Sequence, residues 1–332
     1  MKIIIPGGNG HLGQLLVRAF RQPEDECVIL SRTGAPPVPP TPGVRHVAWD
    51  GRTLGPWSAE LDGADVVINL AGRSVNCRYH ERNLAAMMAS RVESTRVIGE
   101  AIAAAQRPPP LWLQASSSTI YTHRYDAPND EATGLIGGSE PGVPRLWQRS
   151  VEIIQAWEGA LAAAPTPLTR RVALRISMVM ERSPDGVFAI LARHCRMGFG
   201  RFADGRHYVS WLHEEDFVGS VRFLISREDL SGAFNLCAPE PLPNDEFLAI
   251  LRRQLGRRLA IPVPAWALEI GTFFLRTETE LILKSRRVVP TRLLEAGYRF
   301  RHPTWAGAAA DLVNRRGETL FGPNPWEDGK DQ

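Results

Sequence analysis

Short apolar runs of strand length punctuate the first half of the chain at Ile3 to Ile5, Val28 to Leu30, Val44 to Ala48, Val66 to Leu70, Leu111 to Gln114 and Val172 to Ile176. Between several of them the apolar spacing turns helical. Leu12, Leu15, Leu16, Ala19 and Phe20 share one face, and a longer periodic segment runs from about Asn83 to Ala105 until Pro108-Pro109-Pro110 forces the chain extended. Alternating strands and helices predict an α/β fold, a doubly wound and mostly parallel sheet covered by helices on both faces.

After residue 180 the pattern loosens. Helical spacing recurs at roughly 186 to 197, 214 to 226, 244 to 256 and 265 to 276, with short strand runs near 208 to 211 and 233 to 236 and a last segment, 287 to 316, that ends in a helix. The expected organisation is a sheet domain over 1–180, completed by returning segments from the second half, and a smaller α+β lobe over 181–332 with a C-terminal unit at about 244–316. Such a lobe would close a pocket over the carboxyl ends of the strands, where open α/β sheets bind their ligands.

The first strand names the ligand class. It ends at once in Gly7-Gly8-Asn9-Gly10-His11-Leu12-Gly13 and opens directly into the first helix. In that setting Gly7 makes the turn out of the strand, Gly10 lets backbone approach a pyrophosphate, and Gly13 lets the helix pack on the sheet. The helix N-terminus then faces negative charge, so a dinucleotide is expected across Gly7 to Gly13 in a Rossmann-type fold. The second strand ends in Ser31-Arg32, where an enzyme preferring NAD would carry an Asp or Glu for the ribose 2′-hydroxyl. Glu24, Asp25 and Glu26 stand at the opposite end of that strand. Arg32 can pair with a 2′-phosphate, so NADP is favoured over NAD. Asp50, past the third strand, joins the expected cofactor set, and the loop Pro36 to Pro42 is placed near the adenosine.

Charge and cysteines add bounds. Of 39 basic residues 36 are arginine, the lysines being Lys2, Lys284 and Lys330, and the net charge is only +3. Arg252-Arg253 and Arg257-Arg258 therefore read as a solvated face, and neither nucleic acid nor an anionic membrane is an expected partner. Cys27, Cys77, Cys195 and Cys237 lack metal-ligand spacing and read as reduced thiols. With no metal, no signal peptide and no spanning segment in the pattern, a cytoplasmic protein with a small-molecule substrate is expected, and a homodimer is compatible with it.

Two further strand ends carry chemistry. Asn69-Leu70-Ala71-Gly72 leaves room for a ligand across the fourth strand, and Ser116-Ser117-Ser118-Thr119-Ile120-Tyr121 delivers hydroxyls from the fifth. Together with the N-terminal glycines these motifs resemble the extended short-chain dehydrogenase/reductases, the epimerase/dehydratase branch. Trp211 to Asp216, Gly232 to Leu236 and Arg287 to Phe300 are similar to the members with a C-terminal domain of unknown function, so the resemblance covers nearly the whole chain.

That resemblance implies Ser117 as the hydroxyl polarising a substrate carbonyl and Tyr121 as a wall of the nicotinamide pocket. The hydroxyls of Ser116 to Ser118 can instead satisfy a turn. Active relatives also carry Tyr-x-x-x-Lys on the following helix, the Lys lowering the Tyr pKa for proton exchange. Anchored on Trp157-Glu158, those two positions fall on Gln148 and Glu152, and no Tyr in the chain is followed four residues later by Lys. Either another acid such as Tyr121, His123 or Tyr208 donates the proton, or the fold binds NADP without turnover. His123 and His213 equally suit loop or capping roles, and Arg206 and His207 suit either an anionic substrate or a surface hairpin.

Overall fold

The computed structural model describes residues 1–21, 25–33, 42–268 and 280–315. Seven strands form one parallel sheet in the order β11-β6-β5-β4-β1-β2-β3. They are β1 (Lys2–Pro6), β2 (Glu26–Ser31), β3 (Val44–Ala48), β4 (Val66–Asn69), β5 (Leu111–Ser117), β6 (Arg170–Ile176) and β11 (Gly232–Leu236), while the short strands β7 (Met178–Met180), β8 (Phe199–Phe202), β9 (Tyr208–Val209) and β10 (Trp211–His213) pair outside this sheet. Ile3, Ile4 and Ile5 are all fully buried, as a central strand covered on both faces requires. One cover is α1 (His11–Phe20) with α5 (Glu214–Ser226), where Leu16 and Phe20 join Phe217 and Val221 in a common core. The other is α2 (Glu81–Ala104) with α3 (Arg145–Ala162), where Val97, Ile98, Leu161 and Trp112 pack against the opposite side of β1, β2 and β4.

The strand order reverses at β1. β4 lies on one side of it and β2 on the other, so the crevice between the carboxyl ends of β1 and β4 is the switch point where doubly wound sheets bind ligands. A second core holds the smaller lobe: Phe188 and Ala192 of α4 (Val187–Arg196), Phe247 and Leu251 of α6 (Asn244–Gln254), and Trp305 of the helix Trp305–Asn314. Trp305 stacks on Phe247 with centroids 4.0 Å apart, and its indole N–H donates to the Phe247 carbonyl at 2.8 Å.

One sequence expectation changes. The run near 233 to 236 was assigned to the smaller lobe, but β11 closes the main sheet as its edge strand, Phe234 opposite Leu174 of β6. Five residues carry too little pattern to reveal which sheet they join, and only long-range pairing decides it. The edge is guarded. Arg292 donates to the Ser231 and Ala233 carbonyls, and Glu131 accepts from the Asn235 N–H. The helix expected at 265 to 276, the loop 36 to 42 and Glu24 fall wholly or largely outside the described residues. Among the described residues no helix is long and apolar enough to cross a membrane.

Candidate functional site

The glycine turn has the close approaches expected of it. Gly7 takes a left-handed φ of +77°, and a Cβ there would lie 2.8 Å from the backbone of Ala71 at the end of β4. A Cβ on Gly13 would lie 2.5 Å from the Cα and carbonyl oxygen of Gly8. Gly8 and Gly10 close the turn by donating to Ile5 and Gly7 carbonyls at 3.1 Å, and the Gln14 amide donates to the Gly8 carbonyl at 2.8 Å. α1 follows its N-cap Gly10 without a side-chain cap or an acid in its first turn, so the positive end of the helix dipole carries no negative side chain of its own. Asn9 and His11 are exposed on the rim, and His11 Nδ1 lies 2.5 Å from Glu181.

The end of β4 is held rigidly. Asn69 is fully buried, its carbonyl oxygen accepting from the Ala71 N–H at 3.0 Å while its amide donates to Gln114 of β5 at 2.9 Å. Leu70 hydrogen-bonds to the Pro6 carbonyl, and Gly72 opens toward the Arg91 guanidinium. Arg91 was not foreseen. It donates to the Met87 and Arg73 carbonyls, lies over Trp157, and has its pKa lowered by burial. Nothing in sequence separates it from the other arginines.

At the end of β2, Arg32 is exposed and Ser31 has a buried hydroxyl with no hydrogen-bond partner. Asp25 sits at the far end of the strand, paired with the N-terminal amine, and Glu26 pairs with Arg45. Asp50 accepts from the Arg52 and Thr53 N–H groups and the Thr53 hydroxyl, which hold its carboxyl at about 2 and commit it to a turn.

The β5 end combines a turn with a polar core. Ser117 Oγ accepts from the Thr119 N–H at 3.2 Å, and this bond leaves its own O–H proton unused. Ser116 donates to Glu158 of α3, which holds Arg175 of β6 through two nitrogens. Arg175 donates to the Tyr121 hydroxyl at 2.8 Å, and that hydroxyl donates to Asn235 of β11 at 2.9 Å. Burial pushes the phenol up to about 12. The Tyr121 hydroxyl is thus committed to tying β5, β6 and β11 together. Of the other proposed acids, His123 accepts the Ser285 N–H on Nδ1, and Tyr208 lies under the Arg287 guanidinium.

Glu152 is exposed and pairs with Arg149 at 2.8 Å, and the Gln148 backbone lies beside Gly138. Ser150, Ile154 and Glu158 share the helix face whose partners come from the β5 end and the C-terminal segment. Ile154 packs on Ile120 and Tyr121, Glu158 bonds Ser116, and Ser150 donates to Glu280 at 2.5 Å. His213 caps α5 by accepting the Glu215 N–H. With Nδ1 accepting, its Nε2 keeps the proton and points at Asp311, 3.3 Å away, in a group with His302 that reads as a charge network around Arg182 rather than a metal centre. The four cysteines are free thiols.

Comparison with known proteins agrees with this geometry. The NAD dependent epimerase/dehydratase family model matches residues 3–141, and a domain of unknown function, DUF1731, matches residues 263–312. The chain is thus similar to the epimerase/dehydratase family over its first 141 residues and to DUF1731 near its C-terminus. The Homo sapiens epimerase family protein SDR39U1 is 27% identical over 317 residues, spanning 94% of this chain and all of that protein. The crystal structure of human SDR39U1 (isoform 2) with NADPH superposes with a TM-score of 0.79 at 26% identity, over 95% of this chain and 99% of that one. A nucleoside-diphosphate sugar epimerase from Corynebacterium glutamicum gives a TM-score of 0.71 at 26% identity, over 95% of this chain and 58% of that one.

Proposed function

We propose that this protein is a cytoplasmic NADP-dependent oxidoreductase of the short-chain dehydrogenase/reductase type, acting on a sugar-like or small carbonyl substrate without a Tyr-x-x-x-Lys dyad. The observation that carries the reading is the cradle at the switch point: three glycines that tolerate no Cβ or need close approach, with Arg32 and no acid at the adjoining end of β2. The NADPH in the crystal structure of human SDR39U1 supports it. The cofactor when bound supplies or accepts a hydride. Gly7 to Gly13 hold its diphosphate, Arg32 and the partnerless Ser31 hydroxyl meet the 2′-phosphate, and Ala71 and Gly72 leave room for it across β4. Ser117 donates its free O–H to the substrate oxygen. No nucleic-acid or membrane partner is part of this reading, and a homodimer is compatible with it.

A second reading is favoured by Ser150 and Ile154 on the α3 face toward β5, since neither side chain is a strong acid or a cation. On that reading the protein binds NADP as a silent sensor or partner protein. NADPH oxidation across a panel of aldehydes, ketones, quinones and nucleotide sugars decides between them. Turnover that falls at least tenfold in Ser117→Ala supports the enzyme. Background rates throughout, with NADPH still raising Tm, support the silent binder.

A further inference from the structure

Ser150 is backed by a buried ionisable pair from the C-terminal segment. Its hydroxyl donates to Glu280 Oε2 at 2.5 Å. Glu280 Oε1 has no hydrogen-bond partner and faces the Lys284 ammonium at 3.7 Å. Lys284 in turn donates to the Thr119 carbonyl at 2.8 Å, inside the turn that follows Ser117. Glu280 and Lys284 are 2% and 1% exposed, whereas Ser150 is only half-buried. A carboxylate and an ammonium taken out of water this completely cost several kcal/mol each, and such pairs concentrate at functional sites.

Resting on the functional reading above, we propose that Ser150, Glu280 and Lys284 form a proton relay to the substrate oxygen at the β5 end. In carbonyl reduction the electron pair arrives with the hydride that reduced nicotinamide supplies. The Ser150 O–H bond breaks as its proton passes to the substrate oxygen, Glu280 returns a proton to Ser150 and Lys284 returns one to Glu280; after the product leaves, water reaching half-buried Ser150 recharges Lys284 back along the same path. Ser150 touches the substrate, while Glu280 and Lys284 act through it. Burial raises the Glu280 pKa and lowers that of Lys284 to about 8, which narrows the gap between the two partners. The other groups facing the pair are Arg286, Glu140, His123 and Tyr79. Arg286 lowers and Glu140 raises the Lys284 value, and the Lys284 charge lowers that of His123.

Three lysines make the test direct. In protein labelled with 13C at lysine Cε, Lys284 is assigned by its loss in Lys284→Arg, or by elimination with Lys2→Arg and Lys330→Arg should that variant misfold. The relay predicts a Lys284 midpoint near 8, against about 10.4 for an ordinary lysine. It further predicts that the midpoint is lower by half a unit or more with NADP⁺ bound than with NADPH, because the oxidised ring adds a positive charge nearby. A bracing lysine at the same distance would feel the same charge, so the pH profile of NADPH oxidation decides: the relay places a limb at the Lys284 midpoint that Ser150→Ala removes, and a lysine that merely braces the fold leaves the profile of Ser150→Ala unchanged. That result, or a midpoint near 10.4, overturns the relay while leaving NADP binding intact. Absence of any nucleotide binding, read in the same samples by fluorescence, overturns the functional reading and the relay with it.

Discussion

Replacing Gly13 by alanine puts a methyl carbon 2.5 Å from both the Cα and the carbonyl oxygen of Gly8. An ordinary contact of about 3.5 Å then requires a shift of about 1 Å. Gly8 cannot retreat, because its N–H is bound to the Ile5 carbonyl at 3.1 Å and its Cβ direction already meets the Ile29 side chain at 3.0 Å. The helix must therefore move, breaking the bond from the Gln14 amide to the Gly8 carbonyl. Overpacking and one lost buried hydrogen bond together cost roughly 2–5 kcal/mol. Scanning calorimetry should show Tm lowered by at least about 4 °C. Titration should show NADPH affinity reduced by at least about tenfold, since the N–H groups at the helix start are displaced with it.

Gly10→Ala supplies the contrast. A Cβ there lies 3.5 Å from the Gly7 carbonyl, and the residue has an extended φ of −77°, so stability of the free protein should stay within about 0.5 kcal/mol. The methyl group nonetheless stands between the backbone and a diphosphate, and NADPH affinity should fall. A Gly13→Ala protein with unchanged Tm and unchanged NADPH affinity would refute the cradle.

Tyr121→Phe leaves the Arg175 guanidinium and the Asn235 carbonyl short of a partner, and should cost roughly 1–3 kcal/mol by urea denaturation while NADPH binding persists. Unchanged stability with lost turnover would instead return Tyr121 to the list of acids. His207 is 2% exposed and its pKa is lowered by burial to about 4. Its unfolded form binds a proton more readily, so its contribution is fully present above pH 6.5 and is lost as pH falls toward 4, up to about 3 kcal/mol. His207→Gln should flatten the loss of Tm between pH 6.5 and 4, and an equal slope in both proteins would count against it.

Local pattern was enough for the glycine turn and the two strand ends that flank it. Gly7 meets a backbone demand that favours glycine, and Gly13 answers to Gly8 in the same turn. The place of β11 was hidden because a five-residue run is sorted by its partner strand, not by its own periodicity. The face of α3 was hidden for a different reason. An i, i+4 pattern fixes which residues share a face, but Ser150, Ile154 and Glu158 are marked as the inward stripe only by Glu280, Ile120 and Ser116, which arrive from other elements. Lys284 reaches Thr119 across 165 residues of sequence, and no spacing rule links positions so far apart.

The central claim is that the crevice between β1 and β4 takes NADP and reads its 2′-phosphate through Arg32. Calorimetric titration of the intact chain with NADPH and NADH tests it. A charge-assisted contact of about 1.5–3 kcal/mol makes NADPH tighter by roughly tenfold or more, and Arg32→Ala should erase most of that preference without unfolding the protein. Equal affinities for the two nucleotides, or a preference that survives Arg32→Ala, would contradict the account.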